Sequence, residues 1–355
     1  MEKANFNLDK HKLIYHPNEV AKFLNGEIFA PIYVEMGPIN SCNHHCIFCA
    51  LDYLNLPKTL IKKEIMISTL KNMANFGVKA VMFAGEGEPL LHPEISDIIN
   101  SAKAFGLDVA VTTNGILMSP SLADKSLKNL TWIKFSVDAG TKKTYAKIHG
   151  TKEQDFEILL NNIKYCIELR NKQDFETTIG TQILIIDESI AEVETLIQLF
   201  SEINPDYLVL KPYSQHPDSI NKQTFDWEKY DCLLKELATK YSKPGFQVIY
   251  RELAFNRVEG KVDFNVCRGV HFFTLIDAYG NVIPCNIFYQ KPDFYYGNIN
   301  ENTFEEIWKS EKRQEVLKKL KEMGCKNCRK GCRLTFINKY LDELVEKKMK
   351  HVNFI

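Results

Sequence analysis

No run of apolar residues in this 355-residue chain approaches the ~18 that a membrane span requires. The N-terminus, MEKANFNLDKHKLIYH, lacks the continuous apolar stretch of a secretory signal. Charge of one sign is not in excess either. The 45 Lys and Arg balance 45 Asp and Glu, which removes the basic footprint of nucleic-acid and anionic-membrane binders. Repeats and low-complexity tracts are missing as well. These absences point to a cytoplasmic protein that works on neither membranes nor nucleic acid. The apolar share, 45%, is ample for a core, and the length suits two or three domains.

Cysteine, by contrast, is plentiful, at ten residues. That is too few for a disulfide-stapled scaffold of this length, and the distribution says more than the count. Cys42, Cys46 and Cys49 lie together, as do Cys325, Cys328 and Cys332, while Cys267 and Cys285 bracket an expected hairpin. Neighbours so near in sequence are poorly placed to pair, and clustered thiols in a reducing compartment read as metal ligands. Cys166 falls among the apolar positions Phe156, Leu159, Leu160, Ile163 and Ile167 of an expected helix, and Cys232 precedes Leu233, Leu234 and Leu237. Both are expected to be buried small hydrophobes.

From residue 31 to 213, short branched apolar runs alternate with helical patterns. The expected strands are Pro31–Gly37, Lys79–Ala84, Leu107–Thr113, Trp132–Val137, Thr178–Ile186 and Tyr207–Lys211. Nearly continuous apolarity is what parallel strands buried on both faces require. Helices at Ile65–Phe76 and Glu94–Phe105 stop at Gly77 and Gly106, and two more are expected at Phe156–Arg170 and Ile190–Ile203. Six strand–helix units are too few for a closed eight-stranded barrel, so the expectation is a partial barrel or open sheet with ligands at the carboxyl ends of its strands. Residues 1–30 form an N-terminal extension. Residues 214–255 connect, through a helix at Trp227–Tyr241 and a strand at Gln247–Arg251, to a small α+β cysteine-rich domain at 256–355. That domain is read as a hairpin (His271–Ile276 and Val282–Cys285), a helix at Thr303–Met323 and the last three clustered cysteines. A charge-rich C-terminal helix, Lys339–Lys350, is expected to face solvent.

Cys42-x3-Cys46-x2-Cys49 follows the first strand, at the ligand-binding end of the sheet. Three thiolates are one short of the four that a closed iron–sulfur or structural zinc site takes, and the adjacent His44 and His45 leave zinc open on composition alone. With Phe48 before the last cysteine, the motif resembles the signature of the radical SAM superfamily. The resemblance extends over 31–213, and implies a partial (β/α)6 TIM-like barrel. It makes Cys42, Cys46 and Cys49 ligands of a [4Fe–4S] cluster whose open iron binds S-adenosylmethionine (SAM). Gly85, Glu86, Gly87, Glu88 and Pro89 resemble the segment whose backbone meets the SAM amino group. Asn114, within Thr-Thr-Asn-Gly, and Ser136 and Asp138 match strand-end positions, the latter two where the ribose is held. The Ile185–Ile186 backbone matches the adenine contact, which Phe48 covers from the other side. His149 stands where many relatives have arginine, leaving the contact to the SAM carboxylate unassigned. The implied chemistry is reductive cleavage of SAM to a 5′-deoxyadenosyl radical that abstracts hydrogen, with an electron donor such as flavodoxin or ferredoxin.

The C-terminal cysteines, with the Tyr296-Gly-Asn-Ile-Asn and Glu305–Trp308 connector, resemble SPASM and twitch auxiliary domains. Five cysteines instead of seven imply a shortened version with one further [4Fe–4S] cluster, held by four of Cys267, Cys285, Cys325, Cys328 and Cys332. Cys328 ranks ahead of Cys325 as the fourth. A two-knuckle zinc ribbon fits the same spacing. Lys211 and Tyr213, at the end of the sixth strand, are the residues expected to touch substrate, with His216 and Arg251 behind them. Trp308 and the Phe272–Phe273 pair are expected in the core. No lone cysteine stands at a strand end to donate hydrogen, which favours oxidation over redox-neutral isomerisation. A small polar metabolite, such as a sugar, aminocyclitol or nucleotide-linked sugar, is the expected substrate. The alternative is a peptide or protein maturase of the SPASM group. Only about 30 residues precede the first strand, which is short for the leader-binding domain many maturases carry.

Overall fold

A computed structural model describes residues 11–223, 225–260, 262, 264–346 and 350–353. Residues 1–10 of the expected extension and 347–349 of the expected C-terminal helix lie outside them. Six parallel strands appear where expected: β1 (Tyr33–Met36), β2 (Ala80–Phe83), β3 (Asp108–Thr113), β4 (Trp132–Ser136), β5 (Thr178–Ile185) and β6 (Tyr207–Pro212). The connecting strand, β7 (Gln247–Tyr250), adds to β6 as a seventh parallel member. The hairpin β8 (Phe273–Ile276) and β9 (Asn281–Ile283), with β10 (Gly297–Asn298), completes one ten-stranded sheet in the order β10-β9-β8-β1-β2-β3-β4-β5-β6-β7. β8 lies parallel to β1, Tyr33 opposite Phe273 and Met36 opposite Ile276. A single sheet therefore runs across the positions, near 213 and 256, where the sequence suggests divisions.

Strand alternation decides what each face does. Val34 and Met36 of β1, Val81 and Phe83 of β2, Val109 and Val111 of β3, and Ile133 and Phe135 of β4 are buried beneath the helices. Met66, Leu70 and Met73 of the helix Lys63–Phe76 and Ile95, Ile98, Ile99 and Ala102 of Ile95–Ala104 meet them in one core. Glycine ends the first of these helices, Gly77 taking φ 116°, a conformation that costs a Cβ-bearing residue more. The alternate residues Glu35, Lys134, Gln182 and Lys211 share the opposite, inward face. Glu35 of β1 meets Arg333 across that face at 2.5 Å, as a sheet curled into a partial barrel allows.

The expected helix Thr303–Met323 is two, Phe304–Lys309 and Glu311–Met323. Ser310 breaks it, taking an extended conformation and accepting the Arg313 N–H at its Oγ as an N-cap. Cys166 is buried as expected, but Cys232 is exposed. Its helix, Asp231–Tyr241, buries only Leu234 and Leu237, so position 232 lies on the outer face. Trp308 is fully buried and donates its indole N–H to Phe29 O at 2.7 Å, and Phe272 and Phe273 are in the core. Among the described residues no helix is long and apolar enough to cross a membrane.

Candidate active site between two cysteine groups

The loop after β1 carries the first three thiols, and the turn after β2 is pressed against it. Gly87 permits that approach, because a Cβ there would lie 2.3 Å from Ile39 O and 2.5 Å from Ser41 O. Gly85 has φ 127° and sits on Gly37. The side chains of this turn brace it. The Glu88 carboxylate accepts from the Thr113 hydroxyl (2.6 Å), Asn114 N (2.8 Å) and Leu90 N (3.0 Å), tying the β2 and β3 tips together. The Glu86 carboxylate turns to the hairpin, accepting from Ala278 N (2.6 Å) and the Tyr289 hydroxyl (3.1 Å). Burial pushes the Glu86 carboxyl up to about 8. With both acidic side chains so engaged, what the turn offers a ligand is its backbone.

All ten cysteines are free thiols. Cys42 is exposed and Cys46 and Cys49 are half-buried. His45 N and Ile47 N donate to His149 O and Ile148 O, both at 2.9 Å, which fixes the loop. The atoms crowded around Cys42, together with the Glu88 and Cys49 charges, raise its thiol above the ordinary value although part of its surface meets solvent. Burial, then the charges of Asp138, Cys42 and Cys49, raises Cys46 further. A bound cation reverses such shifts. His149 does not reach toward a ligand from arginine's place. Its Nε2 donates to Val137 O (3.0 Å), its Nδ1 lies 3.3 Å from Cys46 Sγ, and its ring packs on Tyr145. Burial holds His149 at about 3 and His44 at about 4, so both rings are neutral. His44, Cys46 and His149 bring donor atoms within 4.8 Å of one another, whereas His45 is exposed.

The remaining expected SAM contacts divide. Phe48 is half-buried, edge-on to His149. Asn114 reaches Asn43 of the cysteine loop at 2.7 Å, and Ser136 keeps partial exposure at the β4 tip. Asp138 is fully buried, in a left-handed conformation (φ 59°). Its carboxylate accepts from Leu184 N at 2.6 Å and is pushed up to about 7 by burial, so it locks the β4 and β5 tips together. Ile186 spends its N–H on Ser189 Oγ and its carbonyl on Ser189 and Ile190.

The second group is assembled from distant segments. Cys267 precedes a short turn at Arg268–His271, Cys285 ends the hairpin, and the last three lie beyond the helix Glu311–Met323. The Cys325 thiol hydrogen-bonds with Cys267 and Cys328, and Cys285 is close enough to feel the charges of Cys332, Cys267 and Cys328. All five meet. Asn338 Nδ2 points at Cys267 Sγ (3.6 Å) and Leu334 N at Cys332 Sγ (3.4 Å), donors of the kind that tune cluster sulfurs.

Residues 214–223 strap the two groups together. Ser219 Oγ donates to Cys49 O, Ile220 N and Asn221 N donate to the Asp52 carboxylate at 2.9 and 2.6 Å, and Gln223 Nε2 donates to Ile47 O. At its other end Arg329 Nε donates to Ser214 Oγ at 2.9 Å, and Ser214 Oγ to Lys330 O. His216 is a pin in this strap, fully buried, stacked on Tyr53 and hydrogen-bonded to Asn286 O. Beneath the strap lies a cavity of about 290 Å³, lined by Ile185, Tyr213, Gln215, Gln223, Cys328 and Arg329 among others.

The sequence model of the radical SAM superfamily matches residues 36–200, and that of SPASM, an iron–sulfur cluster-binding domain, matches residues 267–332. The chain belongs to the radical SAM superfamily. Its SPASM domain makes it an enzyme of two kinds of site, a SAM-binding [4Fe–4S] cluster and an auxiliary one. A UPF0026 protein of Helicobacter pylori is 26% identical over 48% of this chain and 58% of its own length, so the chain spans little more than half of that relative. An AdoMet-dependent heme synthase of Methanosarcina barkeri is 25% identical, over 79% of this chain and 82% of its own. Streptococcus suis SuiB, solved with its precursor peptide SuiA, shares the fold with TM-score 0.67 and 16% identity, over 87% of this chain and 71% of SuiB.

For a radical SAM enzyme the residue types fit both groups: three thiols on one loop leave one cubane iron open, and five converging thiols suffice to close another. The inward face of the barrel supplies what motif reading missed. Lys211 stands there as expected, but with company. Burial lowers its pKa well below the ordinary value, and the nearby charges of Lys134, Arg251, Arg329 and Arg333 add to the effect. Lys134 is held at about 8, by burial and by Arg251 and Arg333. The signal was available: a lysine amid Trp132-Ile-Lys-Phe-Ser, in a strand otherwise read as core, marks an inward wall that is not dry.

Proposed function

We propose that this radical SAM enzyme oxidises a small polar metabolite held between the two cysteine groups. The observation that carries the reading is the strapped cavity of about 290 Å³, the scale of a small ligand, bordered by Tyr213 on one side and Cys328 on the other. Cys42, Cys46 and Cys49 hold the SAM cluster, with Phe48, the Gly85–Pro89 backbone, Asn114 and Ser136 around SAM. Cys267, Cys285, Cys328 and Cys332 hold the auxiliary cluster. When bound, these groups supply a 5′-deoxyadenosyl radical that takes a hydrogen atom from a carbinol carbon, and an acceptor for the electron left behind as a proton departs to solvent. The protein aims and shields that chemistry. The strap excludes water by bonding to the Cys49 and Ile47 carbonyls on one side and to Arg329 on the other. Lys211 and Tyr213 position the substrate from the β6 end.

Oxidation is preferred to isomerisation because the surplus thiol of this assignment, Cys325, is only 2% exposed and does not line the cavity, Cys328 standing there instead. Flavodoxin or ferredoxin serves as reductant in this reading. The SuiB-like fold, solved with a peptide, favours peptide maturation as the second reading. The test is anaerobic incubation of the reconstituted enzyme with SAM, dithionite and a cell extract split into small-molecule and peptide fractions. Stimulated 5′-deoxyadenosine formation by the small-molecule fraction, with a product two hydrogens lighter, is expected. Stimulation by the peptide fraction alone would replace metabolite by peptide, and a product of unchanged mass would replace oxidation by isomerisation.

A further inference from the structure

We propose that the inward face of the barrel binds an anionic group of the substrate, a phosphate or carboxylate, between Lys134 and Lys211. The inference rests on the reading above and extends it from the strapped cavity, which neither lysine lines, inward from Tyr213 along the barrel face. It begins with register. Lys134 of β4 pairs with Gly180 of β5, which pairs with Tyr207 of β6; two positions on, Ser136 pairs with Gln182, and two beyond that Leu184 pairs with Lys211, all on the inward face. At the level of Lys134 the intervening strand thus has no side chain, and the Tyr207 ring fills the space, 2.1 Å from where a Gly180 Cβ would stand. Tyr207 is a closed floor, only 5% exposed. The two lysines rise above it from strands on either side.

Among the described residues neither ammonium has an ion-pair or hydrogen-bond partner, though both side chains are half-buried within the barrel. The anions nearby are committed elsewhere. Glu35 is paired with Arg333 at 2.5 Å, and Asp138 is tied to Leu184 N with His149 beside its second oxygen. The cysteine charges act on Arg329 and Arg333, which flank Cys332, whereas none is prominent at Lys134 or Lys211. Enclosing unpaired like charges destabilises a fold. Two compact ammonium groups on one inward face, Lys134 near enough to lower the Lys211 pKa, are suited to the oxygens of a phosphate or carboxylate. Gln182, inward-facing between the two strands, adds a neutral amide donor at the same place.

The probe is inorganic pyrophosphate, titrated calorimetrically into the reconstituted, SAM-saturated enzyme. Binding is expected to weaken about tenfold in Lys134→Met and in Lys211→Met, to weaken with added salt, and to survive largely in Lys134→Arg. At about pH 8 the wild-type enzyme should take up a proton on binding, as the anion raises Lys134 against Arg251, Arg333, Lys211, Glu35 and Asp138 around it; Lys134→Met should show less uptake. Melting temperature monitors folding, and removing an unpaired charge should raise it. No wild-type binding, or wild-type affinity retained in both Met variants, overturns the proposal. So does a loss of SAM affinity in those variants with pyrophosphate affinity intact, which would give the lysines to the SAM carboxylate. Dithionite-driven SAM cleavage by the wild-type enzyme is scored separately: its absence would sink the proposed function while leaving anion binding standing.

Discussion

The two cysteine groups differ in how they are built. The first is local: three thiols within one loop, fixed by backbone bonds to His149 and Ile148 and open on the Cys42 side. The second is global, its thiols drawn from a turn, a hairpin end and a loop beyond a helix, and Cys325 among them is buried. A local, open group can leave one metal position for a ligand, while a buried group with donors to spare closes around its metal. In the proposed function that difference separates a site that starts the reaction from one that receives an electron.

The strongest way to break the comparison is to remove the first group. Cys42, Cys46 and Cys49 all replaced by Ala should lower iron from about eight to about four per chain and abolish 5′-deoxyadenosine formation, as read by metal analysis and chromatography. Surviving SAM cleavage would show that the open site lies elsewhere. Cys285→Ala should act the other way, removing the second cluster and lowering thermal stability while SAM cleavage persists in part; unchanged product yield would make that group dispensable. A finer cut separates Cys325 from Cys328. Cys325→Ser should retain the second cluster's electron paramagnetic signal, and Cys328→Ser should lose or alter it. The opposite result would free the thiol that borders the cavity and so revive isomerisation.

The smallest effect concerns the bridge between the two regions. Folding raises the Glu86 carboxyl from 4.5 to about 8, chiefly by burial, so the folded chain holds a proton that the unfolded chain releases. The stability this contributes is complete below pH 4.5 and declines as pH rises toward about 8. Glu86→Gln can still accept from Ala278 N and meet Tyr289, and should flatten the fall of melting temperature between about pH 6 and pH 8. An unchanged slope would place the proton on another group.

Legibility followed the same division. That Cys42, Cys46 and Cys49 share one loop could be read because they lie within eight residues, and the six strands because parallel strands covered on both faces leave apolar runs. The set of five later thiols could be counted, but their meeting depends on the packing of a hairpin, a helix and a loop. Asp138 and Ile186 illustrate a different limit. A strand-end position says where a residue stands, whereas the structure shows that their polar groups are occupied by Leu184 and Ser189. Lys134 was passed over because a single charge in an apolar run carries no motif. Ser310 was missed because one serine in a long polar helix pattern is common, and only its extended backbone turns it into a break.

The pairing of β1 with β8 has a consequence for the order of synthesis. β1 leaves the ribosome early, yet the strand that covers its other edge is made only after residue 272. Until then β1 has no neighbour on that side, and the Glu86 carboxylate has neither Ala278 nor Tyr289 to hold. Contacts so distant in sequence form late. The nascent protein thus has a long interval in which the first cysteine loop exists without its finished wall.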